Sequence, residues 1–161
     1  MSKEKIKSIE ELQKIVSEVK AQNKKIVTTN GVFDILHIGH IRYLQEAKKQ
    51  GDVFIMAINT DASVKENKGP KRPLNTENDR AEALAALECV DYVTFFSEKT
   101  PVKILEKIKP DIHVKGGDYK IEQIIEKETV EKSGGKIILI PEIEGYATTS
   151  LIKKILEVYK E

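Results

Sequence analysis

Lys25-Ile26-Val27-Thr28-Thr29 runs directly into Asn30-Gly31-Val32-Phe33-Asp34-Ile35-Leu36-His37-Ile38-Gly39-His40. The first five residues are β-branched and apolar, the composition of a short strand buried on both faces. The segment after them sets His37 and His40 three residues apart at the start of a helix, so both rings can lie on one face. A helix start presents free amides and the positive end of a dipole, a ready site for an anion. Gly31 and Gly39 let a bulky ligand come close to the backbone. These features describe a phosphate cradle with two imidazole donors added. A metal site built from His37, His40 and Asp34 is the rival reading, but Gly39 and the amide-rich turn are better explained by phosphate.

Outward from this segment, strand and helix alternate. Upstream, Ser8-Ile9-Glu10-Glu11 has the capping-box pattern. Ile9, Leu12, Val16 and Val19 then recur at helical spacing, which predicts a helix to about Ala21. Downstream, a helix marked by Ile41, Leu44 and Ala47 ends at Gly51, and Val53–Ile58 is a strand. Asn59 to Asn75 reads as a long polar loop, Thr76 as the cap of a helix through Leu87, and Tyr92–Phe96 as a strand. Pro101 opens a helix, a favoured first-turn position. Ile112–Val114 is the next strand, Ile121–Lys132 a helix stopped by Gly134-Gly135, Lys136–Ile140 a strand, and Thr149–Tyr159 the last helix. The fold expected is α/β, a doubly wound sheet of five parallel strands with helices on both faces. Such sheets bind ligands at the carboxyl ends of their strands.

The length of 161 residues suits a single domain, residues 1–23 forming an N-terminal helix and 24–161 the α/β core. Lys+Arg 27 against Asp+Glu 26 leaves a net charge of +1, which argues against a general nucleic-acid binder. The single cysteine, Cys89, excludes an intrachain disulfide and a multi-cysteine zinc site. Neither a signal-peptide pattern nor an apolar run of about 18 residues is present, so a cytoplasmic protein without a membrane partner is expected.

Three later segments follow strands. Lys65, Lys68, Lys71 and Arg72 form a cationic loop after the second strand, able to close over a triphosphate. After the fourth, Val114-Lys115-Gly116-Gly117-Asp118-Tyr119 offers backbone groups at Gly116 that can read a base edge, with Asp118 to accept from sugar hydroxyls. After the fifth, Glu144-Gly145-Tyr146-Ala147-Thr148-Thr149-Ser150 brings hydroxyls and free amides to a helix start, a second anion cradle. A nicotinamide- or flavin-binding protein would need a G-x-G-x-x-G turn after the first strand, which the spacing of Gly31 and Gly39 rules out. A binding-only module with the same pocket is a further alternative.

The strand followed by G-x-F-D-x-x-H-x-G-H, carried by Gly31, Phe33, Asp34, His37, Gly39 and His40, resembles the signature of the cytidylyltransferase-like nucleotidyltransferases. The resemblance extends from Ile6 to about Leu156. Within that family, Thr29–Lys48, Asp79–Val93 and Val114–Tyr119 look like the D-glycero-β-D-manno-heptose 1-phosphate adenylyltransferases, here as a stand-alone form without the sugar kinase to which many are fused. Glycerol-3-phosphate cytidylyltransferase is the alternative, but it lacks the leading helix and has an Arg where Glu142 stands. The resemblance implies catalytic roles for His37, His40, Lys68, Thr148 and Thr149, with Lys65 and Lys71 open as substitutes for Lys68. It implies nucleotide contacts from Asn30, Gly31, Phe33, Gly39, Arg80, Gly116, Asp118, Gly145 and Tyr146, and a substrate contact from Asp34. Arg80 otherwise reads as a helix-surface residue pairing with Asp79 or Glu77. ATP and a sugar 1-phosphate are the implied ligands, Mg2+ the implied cofactor, no metal ligand is expected from the protein, and a homodimer is implied. Ala147 departs from the family pattern, which has a serine there.

Overall fold

The computed structural model describes residues 2–117, 120–141 and 145–160. Five strands, β1 (Ile26–Gly31), β2 (Val53–Asn59), β3 (Tyr92–Phe96), β4 (Ile112–Gly116) and β5 (Lys136–Ile140), form one sheet in the order β3-β2-β1-β4-β5, and every pairing is parallel. Seven α-helices connect or flank them: α1 (Ile9–Ala21), α2 (Ile38–Lys48), α3 (Asp61–Lys68), α4 (Glu77–Ala85), α5 (Val102–Ile108), α6 (Lys127–Lys132) and α7 (Thr148–Val158). No helix among the described residues is long and apolar enough to cross a membrane.

Alternation along β2 produces the two-sided core. Phe54, Met56 and Ile58 pack with Leu44 and Ala47 of α2 and Ala81, Leu84 and Ala85 of α4. Ile55 and Ala57 point the other way, into a cluster with Leu12 and Val16 of α1, Ile104, Leu105 and Ile108 of α5, and Val130 of α6. A period of two residues puts successive side chains on opposite faces, so a strand apolar at every position must be covered twice. The doubly wound expectation holds. Strand order reverses between β1 and β4: crossovers to β2 and β3 lie on one face, those to β4 and β5 on the other. That reversal is a topological switch point, the place where open α/β sheets bind ligands.

The capping box of α1 forms as read. Ser8 Oγ accepts from the Glu11 N–H at 3.2 Å, and a Glu11 carboxylate oxygen accepts from the Ser8 N–H at 2.8 Å. The segment before it is not free: Ile6 pairs with Val93, and Lys5 Nζ donates to the carbonyls of Leu87 and Val90.

Two expectations fail. The polar stretch after β2 contains α3, which Thr60 starts by accepting the Ser63 N–H. Val64 is buried there, and Ser63 is held by Asn59 and by the Glu98 carbonyl. This helix docks through one valine and a buried serine, so it has almost no apolar stripe to read. The helix expected over Ile121–Lys132 is a 3-10 turn at Ile121–Gln123 followed by α6. Between them Ile124 is extended (φ −83°, ψ 114°), and both Ile124 and Glu126 are buried. One continuous helix could not turn both inward.

Candidate active site

The carboxyl ends of β1 and β4, the mouths of α2 and α7 and the segment after α3 enclose a cleft of about 400 Å³. Its polarity begins inside the sheet. Thr29, buried on β1, has its hydroxyl 2.7 Å from Tyr43 Oη of α2 and donates to the Val114 carbonyl of β4 at 2.9 Å. Burial pushes the Tyr43 phenol up to about 12, so it stays protonated. These contacts tie α2 to the strand ends at the switch point.

His37 is the N-cap of α2, and its Nδ1 accepts the His40 backbone N–H at 3.4 Å. A neutral imidazole that accepts at Nδ1 carries its proton on Nε2. That Nε2 is buried and has no partner among the described residues. An unmatched buried donor costs about 1–3 kcal/mol until something accepts from it.

The His40 ring stacks on His37, centroids 3.8 Å apart and planes 21° from parallel, and Phe33 meets it edge-on at 5.3 Å. Burial, then the neighbouring His37, push His40 down to about 4, against a hydrogen bond to the Ile35 backbone that raises it. Burial lowers His37 as well. Both rings are therefore neutral at pH 7. His40 Nδ1 is buried and has no partner among the described residues. A protonated ring would donate from it.

Two glycines make this packing possible. Phe33 adopts φ 50°, in the left-handed region, and its ring lies where a Gly31 Cβ would come within 2.7 Å. A Cβ on Gly39 would stand 2.7 Å from Tyr146 Cβ and 3.0 Å from His37 Nδ1. Any side chain at Gly39 would separate the mouth of α2 from the segment leading to α7. Tyr146 is also covered by the Arg42 guanidinium, 5.9 Å from the ring centroid.

Most of the expected residues meet in this cleft. Asn30, Gly31, Phe33, Asp34, His37, Gly39, His40, Lys68, Gly116, Tyr146, Thr148 and Thr149 all line it. Lys68 is exposed at the end of α3. Thr148 and Thr149 open α7, whose N-cap is Ala147, with no side-chain cap. The helix thus starts one residue earlier than expected, and the amides of its first turn stay open. Lys65, Lys71 and Gly145 are not among the lining residues. Asp118 lies outside the described residues.

Two expectations need correction. Arg80 is buried away from the cleft, and its side chain donates to the carbonyls of Asn75, Val32 and Asn59 and to Asp61 Oδ1. Four hydrogen bonds leave it one N–H. It braces the segment below the cleft, is not among the residues that line it, and is not the surface residue of the alternative reading. Asp34 lines the cleft, but its side chain is fully covered. It accepts from Arg72 Nε at 2.6 Å and from the Leu74 and Asn75 N–H groups at 2.9 Å. Burial alone would raise its carboxyl, but the Asn75 and Leu74 amides and Arg72 outweigh burial and hold it below its usual range. Asp34 anchors the loop and is not open to a sugar. Asp34 is therefore not free to join His37 and His40 as a metal ligand in the rival arrangement. Among the described residues no three His, Cys, Asp or Glu side chains are placed to hold a metal.

Arg72 and Lys115 line the cleft and were not singled out. Lys115 Nζ donates to Asn30 Oδ1 at 3.1 Å and to a Glu126 carboxylate oxygen at 2.9 Å. Arg72 lay within the cationic loop and Lys115 within the glycine motif, so the signal was present in each case. Asp34 lies 38 residues before Arg72 and Glu126 lies 11 after Lys115, beyond a 3-10 turn, and no local pattern pairs them.

A family model described as cytidylyltransferase-like matches residues 28–154. The chain belongs to the cytidylyltransferase-like family. Over 157 residues, 98% of the chain, it is 50% identical to the "Bifunctional protein HldE" of Geobacter metallireducens, covering 32% of that protein. The chain thus spans about a third of the length of the curated relatives it matches. A solved structure, the lipopolysaccharide core biosynthesis protein of Thermoplasma volcanium, is 33% identical with a TM-score of 0.62, covering 77% of this chain and 99% of that one. A pantoate-beta-alanine ligase from Francisella tularensis, 20% identical with a TM-score of 0.64, covers 97% of this chain and 79% of its own and shares the fold. The stacked histidines and the open mouth of α7 thus lie within the region matched to the cytidylyltransferase-like family.

Proposed function

We propose that this domain is an adenylyltransferase acting on D-glycero-β-D-manno-heptose 1-phosphate, in the supply of lipopolysaccharide core precursors. An oxygen of the sugar phosphate attacks the α-phosphorus of ATP in line. The bond from that phosphorus to the bridging oxygen breaks, and its electron pair leaves with pyrophosphate, giving ADP-heptose. The nucleophile is already an anion, so no general base is needed, and the protein's work is positioning and charge stabilisation.

The observation that carries this reading is the pair of neutral, stacked imidazoles with unmatched nitrogens beside an uncapped helix mouth. His37 Nε2–H is ready to donate to a phosphate oxygen. His40 takes up a proton as the polyphosphate enters and then donates from Nδ1. Lys68 neutralises the β and γ phosphates, and the Thr148 and Thr149 hydroxyls, with the first amides of α7, hold the leaving pyrophosphate. No carboxylate among the described lining residues is open to a cation, so Mg2+ enters as part of the substrate, held by phosphate oxygens and water. The choice of heptose rests on the three stretches of resemblance, on the HldE relatives and on the lipopolysaccharide name of the Thermoplasma protein. The cytoplasm as the working compartment and a homodimer as the assembly rest on the family resemblance.

The test is a screen of four nucleoside triphosphates against sugar and polyol phosphates, read by pyrophosphate release. ATP with the heptose 1-phosphate is expected to be fastest. A win for CTP with glycerol 3-phosphate would transfer the assignment to the cytidylyltransferase alternative.

A further inference from the structure

Lys115 lies at the end of β4, beside the end of β1, where strand order reverses. Its ammonium is clamped. One N–H goes to Asn30 Oδ1 and another to Glu126, whose side chain is 7% exposed against 20% for Lys115. A lysine has three donors, so one remains, on a residue that lines the cleft. Lys68 differs in every respect, being exposed at the tip of a helix. An exposed cation suits the flexible β and γ phosphates, which only need neutralising. A clamped one suits a group whose position decides the reaction.

We infer that Lys115, held by Asn30 and Glu126, binds the phosphate of the acceptor sugar and aims its attacking oxygen. The inference deepens the adenylyltransferase reading and rests on it. In-line attack requires the nucleophile to be fixed to within a fraction of an ångström, which rigid donors achieve before the substrate arrives. The buried carboxylate has a second effect. It cancels most of the charge on Lys115, so the acceptor phosphate is directed by a hydrogen bond and not quenched by a full neighbouring cation. A donor that held the ground-state anion too strongly would lose rate at the chemical step. Asn30 completes the clamp from the strand that leads into His37, so the acceptor phosphate and the α-phosphate are positioned by the same stretch of chain.

The test separates acceptor from nucleotide. Steady-state pyrophosphate release is measured for Lys115→Met, with the ATP dissociation constant obtained separately by calorimetry without acceptor. Loss of one charged hydrogen bond is expected to raise the acceptor KM by roughly 10- to 100-fold. ATP affinity should stay within about twofold of wild type, and Lys115→Arg should recover part of the acceptor KM. Lys115→Met leaves Glu126 buried without its cation, so a Lys115→Met, Glu126→Gln double variant, which removes that charge, serves if the single variant does not fold. An unchanged acceptor KM in a folded variant, or a loss confined to ATP affinity, overturns the assignment of Lys115. A wild-type chain that releases no pyrophosphate with any acceptor overturns the adenylyltransferase reading, and the assignment of Lys115 falls with it.

Discussion

Asp34→Asn isolates what holds the cationic loop over the cleft. The carboxylate accepts from three groups: Oδ2 from Arg72 Nε and the Leu74 N–H, and Oδ1 from the Leu74 and Asn75 N–H groups. The substitution keeps shape and removes charge, but it also converts one oxygen to an NH2 group. Whichever way the amide is turned, that NH2 faces an N–H donor: Arg72 on one side, the loop backbone on the other. A charge-assisted hydrogen bond is worth about 1.5–3 kcal/mol, and breaking a buried ion pair by altering one partner typically costs 3–5 kcal/mol. The lower part of that range, about 3 kcal/mol, is expected, because Arg72 can reach solvent. With a urea dependence near 2 kcal/mol per M, the unfolding midpoint falls by about 1.5 M. The sign with pH follows from the lowered carboxyl: its contribution is complete above the ordinary carboxylate range and lost as pH falls through its own lower value. Measurement at pH 7 therefore sees all of it. Turnover should fall about 10- to 100-fold, since the loop carries Arg72 to the cleft. A folded variant whose midpoint moves by less than about 0.5 M, with turnover intact, would refute the role of Asp34 as the loop's anchor.

His40→Ala should lower kcat by about 10²–10³ with the fold intact. It should also abolish the proton uptake expected when wild type binds ATP near neutral pH, read by calorimetry in buffers of different ionisation enthalpy; uptake that survives the substitution removes His40 from that role. His113 is fully buried, with Thr28 Oγ1 2.8 Å from its Nδ1, and burial pushes it down to about 3. Its folded value is depressed, so the unfolded chain binds more protons below about pH 6.5, and stability falls as pH falls through that window. His113 should contribute on the order of 2 kcal/mol to the stability lost between pH 7.5 and pH 5 in urea titrations, and the lowered His40 and His37 add to the loss in the same sense. A His113→Gln chain should show a correspondingly flatter pH dependence, and an unchanged slope would exclude His113 as the source.

What was legible in the sequence is what local chemistry determines. Ser8 and Glu11 sit three apart and cap each other, so their pattern is their structure. The apolar run of β2 announces burial on both faces because every position is filled. Gly31, Phe33, His37, Gly39 and His40 lie within ten residues and meet through one turn, which is why the cradle could be found before its geometry was known. The misreadings involve partners far apart in the chain. Arg80 looks like a surface arginine beside Asp79, yet its partners Val32 and Asn59 come from the ends of β1 and β2. Asp34 looks available to a ligand until the loop 40 residues downstream folds onto it. Helix α3 was missed because its docking depends on Ser63 and one valine, and hydrogen bonding by a buried serine leaves no hydrophobic period.

The same distant pairings bear on how a chain of net charge +1 can handle a polyphosphate. Of the cationic side chains lining the cleft, Arg72 and Lys115 are each matched by a buried carboxylate, Asp34 and Glu126. That leaves Lys68 and the open amides of α7 to meet the incoming charge. A cleft lined with unmatched cations would hold ATP and pyrophosphate tightly throughout, and uniform binding of that kind does not speed the chemical step. His40 works in the opposite sense. Burial and His37 hold it near 4, so it is neutral at pH 7, and in the proposed reaction it gains its charge as phosphate oxygens approach. In that proposal its attraction follows the charge that shifts onto the bridging oxygen as the bond to pyrophosphate breaks. Burial of the stacked rings, costly to the folded chain on its own, is what makes that response possible.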